Sequence, residues 1–185
     1  MTDFIGVIKG RRSIREYEVK AVPEELLNQV FEAVRWSPSW RNTQVWEIIV
    51  VKDQAIKEKL SQTLSPKNPS TKAIANAPVV LAVCGKLKTS GFFEGHPRTK
   101  LGDMYMYDLG LATQNLCLAA YHLGLGSVIV GSFDIDKAEE ILGVPEGYGV
   151  VVLIPLGYPA KGAPAPKRRE IAEFIHADRF GQRKR

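Results

Sequence analysis

The sequence predicts a three-layer α/β sandwich, in which helices cover both faces of a central sheet. Short runs rich in valine and isoleucine alternate along the chain with segments of helical pattern. Those runs are apolar without interruption, which is typical of strands covered on both faces. The 185 residues are enough for one sizeable core. We therefore expect residues 1–185 to form a single domain.

The helices are predicted from apolar residues at helical spacing. Residues 23–37, PEELLNQVFEAVRWS, begin with proline and two glutamates, which suit a helix start, and have one apolar face. Residues 104–124 are too long for a strand and apolar nearly all round. We expect a buried central helix there and no membrane span. Shorter helices are predicted at 55–64, 136–142 and 169–180.

The strands are predicted from short valine-rich and isoleucine-rich runs bounded by glycine, proline or aspartate. They cover residues 45–53, 77–86, 127–133 and 148–159. The segments 65–72 and 87–102 are rich in glycine, proline and lysine and are predicted loops. Loops of that length inside a compact domain are often functional.

The glycine-containing run GLGSVIVG, residues 124–131, is the nearest approach to a dinucleotide-binding loop. It follows a helix and leads into a strand, whereas a Rossmann loop leaves a strand and opens a helix. We therefore predict that Gly124 ends the preceding helix and that no Rossmann nucleotide site is present.

Composition and charge narrow the classes of function. Hydrophobic residues make up 45% and charged residues 24% of the chain, which is typical of a globular protein rather than a disordered one. Residues 1–9 lack the pattern of a signal peptide, and Cys84 and Cys117 lie in apolar stretches. We expect a cytoplasmic protein without disulfides or a zinc site. The net charge of +5 comes from short clusters far apart in sequence, which fit a discrete anion site as well as a nucleic-acid surface.

The cluster GRRSIREY, residues 10–17, is the first candidate for anion binding. Arg11, Ser13 and Arg15 alternate, so they share one side of an extended segment. The planar fork of donors on arginine matches phosphate oxygens. The ordinary alternative is a solvated helix end whose arginines pair with carboxylates such as that of Glu16.

A second basic pair, Lys167 and Arg169, brackets one residue in PKRRE. As the start of a helix, this pair would oppose the helix dipole unless an anion were bound there. That conflict favours an anion, although a basic helix start is the alternative interpretation.

The loop SPSWRNTQVWE, residues 37–47, is a candidate for recognising the polar edge of a planar ring. Pro38 ends the preceding helix, and the side chains that follow offer hydrogen-bond donors and acceptors. The alternative is an ordinary turn between a helix and a strand.

Taken together, these segments resemble the FMN-dependent nitroreductase family. The resemblance is carried by the order and spacing of IKGRRSIREY, SPSWRNTQVWEIIVV, DLGLATQNLCLAAYHLGLGSVIVGSFD and LGVPEGYGVVVLIPLGYPAKGAPAPKRR. It implies an α+β fold with a mostly antiparallel central sheet flanked by helices. It also implies an intertwined homodimer with two FMN sites at the subunit interface.

The resemblance assigns most of the basic residues to FMN. Arg15 matches a cation near the pyrimidine edge of the flavin, where it would tune the redox chemistry. Arg11, Arg12 and Ser13 would hold the phosphate and the ribityl chain. The late basic pair, Lys167 and Arg169, would close on the phosphate.

The polar loop and two further segments complete the implied cofactor site. The loop would reach the flavin from the partner subunit through Pro38, Ser39, Asn42 and Gln44. The backbone of Val130 and Gly131 would run close to the flavin ring, and Asn68 would hydrogen-bond it.

This chain departs from many family members at three positions of the polar loop. Trp40 and Arg41 replace small residues, and Val45 replaces a proline. The added bulk and charge predict a narrower pocket over the flavin, with Trp40 as a substrate contact. The segment between Lys86 and Met104 is short compared with members that carry a helical lid, so no large lid is expected.

The activity implied by the resemblance is hydride transfer from NAD(P)H to flavin N5 and then, in a ping-pong sequence, to an electron-poor acceptor. Quinones, nitroaromatics and free flavins all fit as acceptors, and the sequence does not choose between NADH and NADPH. The resemblance implies no metal, no membrane and no nucleic acid. Three alternatives stay open: a reductive dehalogenase-like enzyme of the same fold, a flavin-binding protein without turnover, and a basic nucleic-acid-binding module.

Overall fold

The computed structural model describes residues 3–183, and its centre is a four-stranded sheet. Every adjacent pair of strands is antiparallel, which confirms the antiparallel sheet expected for an α+β fold. In spatial order the strands are β1 (Trp46–Val51), β2 (Val79–Lys86), β6 (Tyr148–Gly157) and β5 (Gly126–Ser127).

The strand predicted over 127–133 is much shorter than expected. Pairing of β5 with β6 ends at Ser127, and only a single bridge from Val130 to Leu153 follows. The chain therefore leaves the sheet at Val130 and Gly131, where Val130 is buried and Gly131 is exposed.

Helices cover both faces of the sheet, as the three-layer prediction requires. The pair α2 and α5 packs on one face, and α3, α4 and α6 pack on the other. The six helices are α1 (Phe4–Gly10), α2 (Glu24–Arg35), α3 (Gln54–Gln62), α4 (Thr71–Asn76), α5 (Tyr105–His122) and α6 (Ile135–Leu142).

Strand β2 shows why the apolar runs predicted a doubly covered sheet. Its odd-numbered residues Val79, Leu81 and Val83 belong to the core beneath α2 and α5. Its even-numbered residues, from Val80 to Cys84, belong to the core beneath the other three helices. Successive side chains of a strand point to opposite faces, so both sets are apolar.

Two predicted loops contain secondary structure. Helix α4 begins at Thr71, at the end of the predicted loop 65–72. The predicted loop 87–102 contains a small hairpin formed by β3 (Phe92–Phe93) and β4 (His96–Pro97).

The prediction of a helix over residues 169–180 is wrong. The structure has one 3₁₀ turn, Ile171–Glu173, closed by reciprocal hydrogen bonds between Glu170 and Glu173. Arg169 and Arg183 donate to the Glu173 carbonyl, which removes that acceptor from a continuing helix. A short helix needs a packed apolar face to be stable, and this segment is largely exposed.

The central helix α5 is buried on the face toward α2 and the sheet and exposed elsewhere. Met106 and Tyr107 are exposed, and His122 is exposed rather than buried as its apolar surroundings in the sequence suggest. Gly124 has a positive φ of 78° just after this helix, which confirms its predicted role in ending it. Among residues 3–183, no helix is long and apolar enough to cross a membrane.

Candidate functional site

The segment that carries the arginine cluster leaves α1 and runs beside the end of the sheet. Helix α1 ends at Gly10, where the ring of Tyr121 lies so close that a Cβ atom would collide with its hydroxyl. The backbone N–H of Ile14 then donates to the Ser127 carbonyl at 2.9 Å, in a parallel bridge between Ser13 and Ser127. The cluster therefore runs beside the sheet from Ser13 onward and is not part of a helix there.

Tyr17 fixes the far end of this segment to β6. Its hydroxyl lies 2.6 Å from the Ile14 carbonyl and 2.9 Å from the Pro155 carbonyl. Burial raises the pKa of the Tyr17 phenol well above its usual range, so the side chain stays a neutral hydrogen-bond donor. The arginines therefore project from a backbone that is tethered at both ends.

A cavity of about 410 Å³ opens beside this segment, and we call it the arginine cavity. Three of its lining residues are cations: Arg11, Arg12 and Lys161. Arg12 donates to the carbonyls of Lys9 and Arg11, at 2.6 and 2.8 Å. Among the residues that the structure describes, none of these cations lies within 4 Å of a carboxylate oxygen. The rest of the lining comes from Gly10, Ile14, Tyr121, 124–127, 159–160 and 162–163.

Arg15 belongs to a hydrogen-bonded chain on the adjoining side. Its Nε donates to the buried Ser70 hydroxyl at 3.2 Å, and the Ser70 N–H donates to the Asn68 side chain at 2.9 Å. The Asn68 amide in turn donates to the Ser132 carbonyl at 3.2 Å. This chain brings Arg15 and Asn68 next to the backbone that follows Gly131.

A second, smaller cavity of about 200 Å³ joins these two regions, and Ser13, Arg15 and Lys161 are among the residues that line it. Cavity walls and hydrogen bonds therefore connect five predicted site residues, and the last of them reaches Ser132, next to Gly131: Arg11, Arg12, Ser13, Arg15 and Asn68.

The polar loop, which in the structure ends where β1 begins at Trp46, is held against α5. The Trp40 N–H donates to both carboxylate oxygens of Asp108, at 3.1 and 3.2 Å, and Asp108 is buried. Asn115, two turns further along α5, donates to the Ser37 hydroxyl at 2.8 Å. Within the loop, the Gln44 N–H donates to the Ser39 hydroxyl at 2.9 Å.

The backbone of the polar loop is strained. Arg41, Asn42 and Gln44 have positive φ angles of 47°, 57° and 47°. Such conformations cost non-glycine residues about 1–3 kcal/mol each and concentrate at functional sites. The loop is therefore a candidate functional segment between α2 and β1.

The polar loop and the arginine cavity do not share a wall within one protomer. The loop is anchored at Asp108, whereas the cavity meets α5 at Tyr121, about 20 Å further along the helix axis. No residue of the loop lines the arginine cavity.

The late basic pair also lies apart from the arginine cavity. Lys167 and Arg169 are exposed, and Arg169 lies 3.7 Å from the Glu173 carboxylate. Lys161, which the sequence analysis did not select, is the late cation that lines the cavity in this protomer. The only sequence signal for Lys161 is its place just after the end of β6, beside the cluster predicted to bind phosphate.

Asp108 and Ser70 were also missed by the sequence analysis. Each acts on a residue far away in sequence, Trp40 and Arg15 respectively. A polar residue in an otherwise apolar helix was the one available signal for Asp108.

The sequence and the fold both match a known class of protein. Residues 8–73 and 62–158 match the model of the nitroreductase family, and the chain belongs to that family.

Particular relatives extend this assignment over most of the chain. An NADH dehydrogenase of Thermus thermophilus is 31% identical over 178 residues, which cover 82% of this chain and 84% of that protein. An FMN reductase [NAD(P)H] of Bacillus subtilis is 29% identical, with coverage of 86% and 67%. Iodotyrosine deiodinase 1 of Rattus norvegicus is 24% identical, with coverage of 94% and 68%.

Solved structures agree with the fold. An FMN-dependent nitroreductase from Clostridium difficile R20291 matches with a TM-score of 0.79 and 26% identity, covering 96% of this chain and all of that one. A nitroreductase family protein from Clostridium novyi NT matches with a TM-score of 0.77 and 27% identity, covering 98% and 96%.

Proposed function

We propose that this chain is an NAD(P)H-dependent FMN oxidoreductase, a single domain of residues 1–185 that works as a homodimer with two FMN sites at the interface. The observation that carries the proposal is the arginine cavity. It gathers three cations without carboxylate partners among the described residues, in a chain that matches the nitroreductase family.

The donor set of the cavity fits the phosphate end of FMN. Guanidinium and ammonium groups form short, charge-assisted hydrogen bonds with phosphate oxygens, and Ser13 adds a hydroxyl beside them. We assign Arg11, Arg12, Ser13 and Lys161 to this end. Lys167 and Arg169 lie on the segment that follows Lys161 and are proposed to close on the same phosphate in the assembled dimer.

The chain of Arg15, Ser70 and Asn68 suits the pyrimidine end of the flavin ring. Arg15 is held by the buried Ser70, so its charge has a fixed position with one hydrogen bond already made. A fixed cation stabilises negative charge without reorganisation during the reaction. Val130 and Gly131 bring main chain alongside β6, one residue before the Ser132 carbonyl that Asn68 contacts, and Gly131 has no side chain to block an approaching ring.

We propose that the polar loop belongs to the site of the other protomer, because it does not reach the arginine cavity of its own. Pro38, Ser39, Asn42 and Gln44 would contact the FMN held by the partner, and Trp40 would contact the substrate. When bound, FMN supplies two-electron redox chemistry: it accepts hydride from NAD(P)H and passes it, in a ping-pong sequence, to an electron-poor acceptor.

Exposed apolar side chains support a homodimer. Helix α1 packs on α5, and together they expose Phe4, Ile5, Ile8, Met106 and Tyr107. The C-terminal segment exposes four more large apolar residues, namely Ile171, Phe174, Ile175 and Phe180. An interface between two copies would remove such side chains from water.

The alternatives have less support. A dehalogenase-like enzyme needs an enclosing lid, and the described segment between Lys86 and Met104 contains only the hairpin of β3 and β4. A nucleic-acid-binding module needs a basic surface stripe, whereas Arg11 and Arg12 line a cavity. A nitroaromatic, a quinone and a flavin all stay candidate acceptors, and the cytoplasmic location stays a prediction.

An anaerobic spectrum tests the proposal. The purified protein should show the visible absorption of FMN, and this absorption should bleach when NADH or NADPH is added and return with 4-nitrobenzoate or a quinone. A protein that carries flavin but does not bleach with either nucleotide contradicts the proposed enzyme. A colourless protein that takes up no FMN contradicts the cofactor as well.

A further inference from the structure

Two arginines converge on one aromatic ring beside the polar loop. The guanidinium carbon of Arg41 lies 4.8 Å from the centroid of the Phe93 ring, and that of Arg98 lies 4.7 Å from the same point. Because both distances are measured to the same centroid, the two guanidinium carbons lie at most 9.5 Å apart. Arg41 also lies over the Trp40 ring, at 5.5 Å.

Neither arginine has a carboxylate partner among the residues that the structure describes. Within residues 3–183, no carboxylate oxygen lies within 4 Å of either guanidinium, and this holds for the neighbouring Glu94. Both side chains are exposed. Arg35 provides a contrast, because it lies over the Trp36 ring at 5.9 Å but also pairs with Glu32 at 3.2 Å.

The backbone holds both arginines in place. Arg41 has a φ of 47°, in a turn fixed by the hydrogen bonds from Trp40 to Asp108 and from Gln44 to Ser39. Arg98 follows the hairpin of β3 and β4, and its N–H donates to the Gly91 carbonyl at 2.7 Å. The strain at Arg41 is thus maintained by specific contacts, as is usual for functional residues.

The energetics favour an anion between these groups. An exposed cation–π contact contributes about 0.5–1 kcal/mol, and two like charges no more than 9.5 Å apart oppose part of that gain. A carboxylate or phosphate that binds both guanidiniums would remove the repulsion and add charge-assisted hydrogen bonds.

We infer that Arg41, Arg98 and Phe93 form an anion subsite at the mouth of the catalytic pocket. It recognises a carboxylate or phosphate on the molecule that exchanges electrons with FMN, while the aromatic faces of Trp40 and Phe93 border the same molecule. The inference rests on the proposed function, because the polar loop that carries Arg41 is the one assigned to the pocket. The anionic group belongs either to the acceptor or to the dinucleotide donor.

The acceptor arm of the test compares 4-nitrobenzoate with the neutral 4-nitrobenzamide. The variants are Arg41→Gln and Arg98→Gln, and Arg35→Gln is the matched control. Each test variant should lower kcat/KM for 4-nitrobenzoate about tenfold and change that for 4-nitrobenzamide less than twofold. Added salt should reduce the preference of the unmodified enzyme for the anion.

The donor arm compares NADH with the neutral 1-benzyl-1,4-dihydronicotinamide in the same variants. A selective loss with NADH assigns the subsite to the phosphates of the donor, and a selective loss with 4-nitrobenzoate assigns it to an anionic acceptor. Unchanged anion-to-neutral ratios in both arms overturn the inference.

A binding measurement separates this inference from the proposed function. Quenching of tryptophan fluorescence by 4-nitrobenzoate and 4-nitrobenzamide is followed with the protein as purified, with or without flavin. The unmodified protein and Arg35→Gln should bind the anion more tightly than the neutral compound, and Arg41→Gln and Arg98→Gln should not. This result supports the subsite even if no turnover is found. Equal binding of the two compounds to the unmodified protein overturns it, even if the protein is an active flavoenzyme.

Discussion

At the scale of single residues, the cations of this chain fall into two groups. Arg35, Lys52 and Lys137 pair with nearby carboxylates on the surface. Exposed pairs of this kind contribute little to stability, typically about 0–1 kcal/mol. The cations of the arginine cavity have no such partners among the described residues, so their charge is available for an anion.

Arg11→Ala and Arg169→Ala should each leave a folded protein with weaker FMN binding. A charge-assisted hydrogen bond contributes about 1.5–3 kcal/mol, so the dissociation constant of FMN should rise about 10-fold to 100-fold. Titration of the flavin-free protein with FMN, followed by flavin fluorescence, measures the change. Arg35→Ala is the control, and full FMN affinity in both test variants would rule out the phosphate assignment.

The buried thiol of Cys84 should make the protein less stable in alkaline solution. Burial, with smaller contributions from the charges of Glu139 and Glu47, raises the pKa of Cys84 from 9.0 to about 11. Between these values the unfolded chain loses the thiol proton while the folded chain keeps it. The free energy of unfolding should therefore fall as the pH rises from about 9 to about 11, by on the order of 2 kcal/mol.

Urea denaturation of the native protein and of Cys84→Ala at several pH values isolates this effect. Lys57, whose pKa is lowered mainly by burial, acts in the opposite direction in both proteins and cancels in the comparison. The alanine variant should show the shallower decline above pH 9. Parallel declines in the two proteins would show that the Cys84 thiol titrates normally.

The residues that the sequence located best are those whose signal is local. The alternation of Arg11, Ser13 and Arg15 predicted that they would share a side if the segment is extended. The structure places Arg11 at the arginine cavity and Ser13 and Arg15 at the adjoining smaller one. Asp108 and Lys161 act on residues distant in the chain, so no short-range pattern pointed to them.

At the scale of elements, sequence prediction succeeded where burial decides the structure. Strand β2 is covered on both faces, so its apolar run identified it. The predicted helix at 169–180 failed because charged side chains and an exposed surface left nothing to stabilise it. The antiparallel order of strands could not be derived from apolar runs alone, since such runs also suit a parallel sheet. The resemblance to the family supplied that information.

The conformation of the polar loop depends on the buried carboxylate of Asp108, which accepts the hydrogen bond from the Trp40 N–H. Asp108→Ala should leave the core intact but release the strained turn at Trp40 and Arg41. A lost hydrogen bond to a charged group costs about 1.5–3 kcal/mol. Binding of FMN would then have to order the released turn, so the affinity for FMN should fall by up to this energy, about 10-fold to 100-fold.

Asp108→Asn keeps an oxygen that can accept from the Trp40 N–H and should restore most of the affinity. Glu140→Ala, an exposed carboxylate variant on α6, is the control. Unchanged FMN affinity in Asp108→Ala would show that the loop conformation does not depend on this contact.

At the scale of the whole molecule, each proposed FMN site needs two protomers. In the proposed dimer the arginine cavity would hold the phosphate end of the site, and the polar loop, which meets α5 at Asp108 and Asn115, would come from the partner. Exposed apolar residues on α1, α5 and the C-terminal segment would lie in the interface of the proposed dimer. The sequence could not show this division, because the spatial separation of the two segments is a property of the fold.

The central claim is that each FMN site takes its cavity from one protomer and its polar loop from the other. A hybrid dimer tests it directly, with Arg11→Ala in one protomer and Ser39→Ala with Asn42→Ala in the other. The two protomers carry different affinity tags, so that the hybrid can be purified apart from both parent dimers. The control is a dimer of one unmodified and one Arg11→Ala protomer. It keeps one intact site whether the loop comes from the same protomer as the cavity or from the partner.

Flavin bound per hybrid dimer is the measured quantity. The account predicts one FMN bound with the affinity of the unmodified protein, because one site then combines an intact cavity with an intact loop and the other contains all the substitutions. Two weakened sites and no tight one would contradict the account, since each protomer would then supply both parts of its own site.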